Sequence, residues 1–205
     1  MHPLTRGPAD VPRIYLTFDD GPDSHWTPRV LDILAQHQAL ATFFVIGRAA
    51  RNATAIVRRV AEAGHAVENH SWSHRHPWTL SAAAARSEVR DGAAAVADVV
   101  GRAPAFFRPP HGRLRRCMSD AAEEHGQQVA LWSVSAVDWG PFGDASRIGT
   151  RLRRVGAGDV VLMHDAKQSI NRPAELEAVL PAFLRALAGR GLDPALLSTA
   201  AGLAG

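Results

Sequence analysis

The sequence predicts a single α/β domain folded as a distorted (β/α) barrel with about seven parallel strands. Short apolar runs alternate with amphipathic segments from end to end, giving seven predicted strands and six predicted helices. No linker or composition shift divides the 205 residues, a length that suits one domain. Ionisable residues gather at strand ends on one side: Asp19-Asp20, Glu68-Asn69-His70, Arg108, Asp138 and His164-Asp165. In βα barrels the C-terminal strand ends are where active sites are assembled. Right-handed crossovers between parallel strands favour a closed or nearly closed barrel, with an open doubly wound sheet as the alternative.

The first strand is Arg13–Phe18, stopped by Asp19-Asp20-Gly21-Pro22; residues 1–12 read as an N-terminal tail and 13–205 as the domain. Thr27 is expected to cap a helix with Pro28 at its first position and Val30, Leu31, Ile33 and Leu34 facing inward. Ala41–Ile46 is continuously apolar, as in a strand buried on both faces, and Gly47 ends it. Asn52 then caps a helix running to Ala63, with Gly64 after it. His65–Asn69 is the third strand, and Ser81 caps a long alanine-rich helix that ends at Gly101. Ala105–Arg108, Gln128–Val134 and Asp159–His164 read as strands. Ser119–His125, Asp144–Val155 and Pro173–Ala188 read as helices, and Ala195–Ser198 as a weak last strand.

Composition narrows the function classes. With 46% hydrophobic and 21% charged residues the chain is neither disordered nor fibrous. A single cysteine, Cys117, excludes an intrachain disulfide and reads as a helix-face residue. The formal charge is +3, and Lys167 is the one lysine among 23 basic residues. The arginines fall in pairs and triplets such as Arg58/Arg59 and Arg151/Arg153/Arg154, too short for a nucleic-acid tail, so no nucleic-acid partner is expected. The apolar runs are far below the ~20 residues needed to cross a bilayer, so no membrane partner is expected either. Met1–Arg13 holds three prolines and no apolar segment resembling a leader, so a cytoplasmic location is expected for a chain that starts here. No signal specifies an oligomeric state.

Two constellations carry chemistry. His70 and His74, four residues apart, can converge on one metal. Asp19 and Asp20 are adjacent carboxylates that need a cation or a shared proton to coexist in one site. One carboxylate with two imidazoles makes a facial site with open positions, leaving the second carboxylate free to act as a base. Glu68 is a weaker ligand candidate than Asp20, because alternation from His70 puts it one pleat deeper. His164, after Val160-Val161-Leu162-Met163, is either a satisfied core histidine or a general acid paired with a carboxylate. Arg108, stiffened by Pro109-Pro110, forms a structural ion pair or orients a catalytic carboxylate.

Five segments in order carry a family resemblance: Thr17-Phe18-Asp19-Asp20-Gly21-Pro22, His70-Ser71-Trp72-Ser73-His74, Arg108-Pro109-Pro110-His111-Gly112, Val137-Asp138-Trp139 and Leu162-Met163-His164. The chain resembles the NodB-homology polysaccharide deacetylases, carbohydrate esterase family four. Tyr15–Pro22 with Val30–Gly47 is similar in particular to the chitooligosaccharide deacetylases of nodulation. The resemblance implies a distorted βα barrel and one divalent metal per chain, usually zinc, on Asp20, His70 and His74. It implies Asp19 as the base toward the attacking water, tuned by Arg108, and His164 as the acid toward the leaving amine, tuned by Asp138. The metal and the backbone N–H of His111 would stabilise the oxyanion, and Trp139 and Leu162 would wall the acetyl pocket. The implied reaction is metal-dependent removal of N-acetyl groups from oligo- or polysaccharides containing N-acetylglucosamine. An amide hydrolase acting on a small non-polymeric metabolite is the second reading, and a non-catalytic carbohydrate binder the third. Two positions depart from the family pattern: His111 stands where tyrosine is usual, and Ser135 where the Asp-x-x-Asp-Trp segment often has its first aspartate.

Overall fold

A computed structural model describes residues 2–168 and 170–197. Its parallel strands are β1 (Arg13–Asp19), β2 (Thr42–Val45), β3 (Ala66–Asn69), β4 (Phe106–Phe107), β5 (Gln128–Val129), β6 (Val134–Ser135) and β7 (Val160–His164). They lie side by side in the order β5-β4-β3-β2-β1-β7-β6, and a short β8 (Asp193–Pro194) pairs with the start of β1. Helices α1 (Trp26–Gln36), α2 (Gly47–Asn52), α3 (Thr54–Glu62), α4 (Ala82–Val100), α5 (Arg116–Glu124), α6 (Ala145–Leu152) and α7 (Pro173–Gly189) connect them.

Alternation along β1 divides the interior. Ile14, Leu16 and Phe18 pack outward with Leu31 and Leu34 of α1, Val57 of α3 and Leu180 of α7. Tyr15 faces the other way and joins Phe44, Phe106, Ala130 and Val160 inside the curl of the sheet. Thr17 and Asp19 share Tyr15's face by the period of two, so Asp19 is delivered to the inner mouth of the barrel. Both faces of β1 are therefore buried, which explains its near-continuous apolar sequence.

The predicted strand Gln128–Val134 proves to be two strands on opposite edges of the sheet. Between them, Ala130 N donates to Phe107 O at 2.9 Å and Ser133 N donates to Val160 O at 3.0 Å. The residues between β5 and β6 thus cross from the β4 side to the β7 side and bring the two edges together. An apolar stretch reads as one strand in sequence whether it runs along one edge or changes edges.

The helix predicted from Thr27 begins at Trp26, because Asp23 supplies the capping carboxylate: its Oδ1 accepts from His25 N at 2.8 Å and Trp26 N at 3.0 Å. Asn52 ends α2 rather than capping α3, and α2 itself was not foreseen. Helix α5 starts at Arg116, three residues before Ser119. The last pairing lies at Asp193–Pro194 instead of Ala195–Ser198, of which Ser198 falls outside the described residues. Ser81 does cap α4, accepting from Ala84 N at 3.2 Å, and Asp144 caps α6, accepting from Arg147 N at 3.0 Å. Among the described residues no helix is long and apolar enough to cross a membrane.

Candidate active site

The C-terminal strand ends open into a cavity of about 310 Å³ lined by Asp19, Asp20, His70, His74, His111, Trp139, Leu162 and His164, all foreseen from sequence. Trp132, Gln168, Ile170 and Asn171 also line it and were not foreseen. Arg108 and Asp138 do not line it. Both are fully buried, and they touch Asp19 and His164 from behind.

Asp19 ends β1, where it pairs in register with His164 of β7. In a regular strand Asp20 would point to the opposite face. Its φ of 76° turns the chain back, so both carboxylates reach the same cavity. Arg108 Nη1 donates to Asp19 Oδ1 at 2.6 Å and to Thr17 Oγ1 at 2.8 Å. Its remaining donors meet Ala130 O at 3.2 Å and Leu131 O at 2.9 Å, within the segment that crosses the sheet. All three guanidinium nitrogens thus have an acceptor, as a buried charge requires.

The histidine turn follows β3 and is shaped by α4. Ser71 and His74 have φ of 67° and 58°. Asn69 Oδ1 accepts from Ser71 N at 3.0 Å, and Ser71 Oγ accepts from His74 N at 3.1 Å. Glu88 of α4 holds Ser73 through its backbone N at 2.7 Å and its hydroxyl at 2.6 Å. Gly92, in the middle of α4, lets the helix approach: a Cβ there would lie 2.3 Å from Asn69 Oδ1 and 2.7 Å from the Ser71 carbonyl carbon. A helix-interior glycine costs about 1 kcal/mol relative to alanine, and here the close approach requires it.

Asp20, His70 and His74 each offer one ligand atom, and these atoms lie within 4.8 Å of one another. Asp20 Oδ1 stands 3.5 Å from His70 Nε2 and 3.1 Å from His74 Nε2. It is buried without a hydrogen-bond partner, as expected of an atom whose partner is a cation. His70 Nδ1 is 2.8 Å from Arg108 O, an acceptor, so Nδ1 carries the proton and Nε2 is left for the ligand role. Burial, then the neighbouring His70, pushes the His74 pKa down to about 4, which keeps that imidazole neutral. Burial alone would raise the Asp20 pKa, but the surrounding histidines, His70 foremost and then His164, hold it below the usual carboxylate range. The donor set fits a divalent cation.

Across the β1–β7 pair, Asp138 takes two bonds from one residue: His164 Nδ1 at 2.9 Å and His164 N at 2.7 Å. Burial opposes the imidazolium, yet Asp138 outweighs it and the His164 pKa is pushed up to about 9. The Val137 backbone, with φ of 50°, aims Asp138 inward. This is an unfavourable conformation for a β-branched residue. Five of the six non-glycine residues with positive φ among the described residues are Asp20, Ser71, His74, His111 and Val137, so backbone strain is concentrated around this cavity. Glu68 lies elsewhere: it accepts from Phe106 N at 2.8 Å, and burial raises its pKa to about 7.

Comparison with known proteins identifies the family. The family described as Polysaccharide deacetylase matches residues 6–130. A peptidoglycan-N-acetylglucosamine deacetylase of Bacillus cereus is 35% identical over 171 residues, covering 82% of this chain and 80% of the relative. A chitooligosaccharide deacetylase of Sinorhizobium fredii is 34% identical over 169 residues, covering 80% and 77%. Among solved structures, the family 4 carbohydrate esterase from Streptomyces lividans in complex with acetate superposes with a TM-score of 0.83 at 34% identity, covering 91% of this chain and 93% of that one. Other curated relatives are longer, and the chain spans 58% of one and 32% of another. The chain belongs to the polysaccharide deacetylase family.

Proposed function

We propose that this member of the polysaccharide deacetylase family is a metal-dependent hydrolase that removes N-acetyl groups from N-acetylglucosamine units of oligo- or polysaccharides. The carrying observation is that Asp19, His164 and the Asp20-His70-His74 group share one cavity. The relatives named for peptidoglycan and chitooligosaccharides supply the substrate class. The Streptomyces lividans neighbour was captured with acetate, the acid that this reaction would release.

Asp20 Oδ1, His70 Nε2 and His74 Nε2 would hold the cation, and zinc suits a set of one oxygen and two nitrogens with open positions. Such a cation supplies Lewis acidity, which lowers the pKa of water to about 7 and polarises a carbonyl oxygen. Asp19 Oδ2 lies 3.7 Å from His70 Nε2, beside the ligand atoms, while Oδ1 is occupied by Arg108. Asp19 Oδ2 takes the proton of the attacking water, whose oxygen bonds to the acetamide carbon. The His111 N–H donates to the carbonyl oxygen as charge builds there. The carbon–nitrogen bond breaks as His164, kept cationic by Asp138, passes its Nε2 proton to the departing nitrogen. Trp139 and Leu162 wall the space for the methyl group.

Acetate release from N-acetylglucosamine oligomers and from peptidoglycan glycan strands tests the reading. The expected result is release that a chelator abolishes and zinc restores. Release unaffected by chelation, or seen only with non-carbohydrate acetamides, would reject it.

A further inference from the structure

The two oxygens of Asp20 have different surroundings. Oδ1 faces His70 and His74 and has no hydrogen bond, whereas Oδ2 accepts from Asn171 Nδ2 at 2.7 Å. A carboxylate only accepts, so the amide must turn its NH₂ toward it. Asn171 is 6% exposed. It sits between β7 and α7, where its N donates to Gln168 O at 2.8 Å and Lys167 Nζ donates to its carbonyl at 3.2 Å. Its neighbours are tied to the strand-end loop that carries Asp138. Gly140 N donates to Ile170 O at 2.9 Å, Arg172 N donates to Asp138 O at 2.8 Å, and Trp139 and Asn171 form an antiparallel bridge. The segment is therefore clamped through its backbone on one side and reaches Asp20 by a single side chain on the other.

We propose that Asn171 is the positioning residue of the cation site. Its carboxamide holds Asp20 in the rotamer that aims Oδ1 between the two imidazoles, and it occupies Oδ2 so that one carboxylate oxygen is offered to the cation. This inference rests on the cation-binding part of the proposed function. Asn171 touches no ligand atom of the histidines, and it acts only by orienting Asp20. Partners of this kind typically change metal affinity by about 10–100-fold when removed.

Zinc affinity, measured by competition against a chromogenic chelator, tests the proposal in the full chain with two variants. Asn171→Leu keeps the volume and removes the donor, and Asn171→Ala removes both. Both are expected to weaken zinc binding by about 10–100-fold, with the thermal midpoint of the metal-free protein retained. At saturating zinc the alkaline limb of the rate profile should stay where it is in the parent, because the bonds from this segment to Asp138 are made by backbone. Affinities within twofold of the parent would overturn the proposal. So would an affinity loss that only follows a loss of metal-free stability, which would mark Asn171 as structural. A parent chain that binds no zinc would instead reject the cation site itself, and the two failures are told apart by that control.

Discussion

The half of the cavity that carries Asp19, Asp20, His70 and His74 is assembled from strand ends, whereas the half that carries His164 depends on loops for its support. Asp19 is the last residue of β1, His70 directly follows β3, and Arg108 directly follows β4. Strand register sets where those side chains start, the Arg108 guanidinium holds Asp19, and the Arg108 carbonyl holds His70. His164 also ends a strand, but its partner Asp138 lies three residues beyond β6. Asp138 is aimed by the left-handed Val137 and by backbone bonds from residues 170–172. A rigid element fixes geometry with a short motif. Beyond the strand ends both halves use left-handed backbone, at Asp20, Ser71 and His74 on one side and at Val137 on the other; what differs is that the partner of Asp19 follows a strand directly whereas the partner of His164 sits out in a loop.

Substitutions in the strand-end half should have the largest effect. His70→Ala is expected to lose zinc and turnover together, while Asp19→Asn keeps zinc and loses about 10²–10⁴-fold in kcat. Zinc titration beside steady-state kinetics separates the two. Undiminished zinc in His70→Ala would remove it from the ligand set. Arg108→Met leaves Asp19 buried and unpaired, so a loss of about 3–5 kcal/mol in denaturant unfolding is expected. A loss confined to activity would show that the pair does not support the fold.

What the sequence shows in advance does not follow this division. Ionisable residues at strand ends are legible from the alternation of apolar runs, and their roles from the five segments that carry the family resemblance. Thr17 stands inside a quoted motif, yet its bond to Arg108 crosses 91 positions of sequence. Asn171 precedes the proline that opens α7 and looks like an ordinary helix-entry residue. Trp132 lies in an apolar stretch whose sequence predicts one strand, and its place in the cavity follows from the crossing between sheet edges. Glu88 and Gly92 belong to a helix whose alanine-rich sequence shows only propensity. Their work on the histidine turn appears only once α4 is packed against β3.

The loop-supported half is sharpened by pH. His164 must be protonated to act as the acid, and Asp138 raises its pKa to about 9. The kcat/KM profile should therefore fall as pH rises through about 9. Asp138→Asn should move that limb down toward about 6.5, the ordinary imidazole value. The same raised pKa means that pairing stabilises the fold below the ordinary histidine value and that this contribution fades as pH passes about 9. An unmoved limb in Asp138→Asn would separate His164 from the acid role. The smallest effect is expected at Gly92→Ala, where the added Cβ forces Asn69 and Ser71 to shift. Overpacking of this kind costs about 1–3 kcal/mol, and here zinc affinity should fall with stability. Unchanged zinc affinity would show that the histidine turn tolerates displacement.

The most direct measurement is an anomalous-difference map from crystals of the chain grown with zinc. One peak is predicted per chain, bonded to Asp20 Oδ1, His70 Nε2 and His74 Nε2 at about 2.0–2.2 Å. A peak held by other residues, or none at these three atoms, would contradict the account.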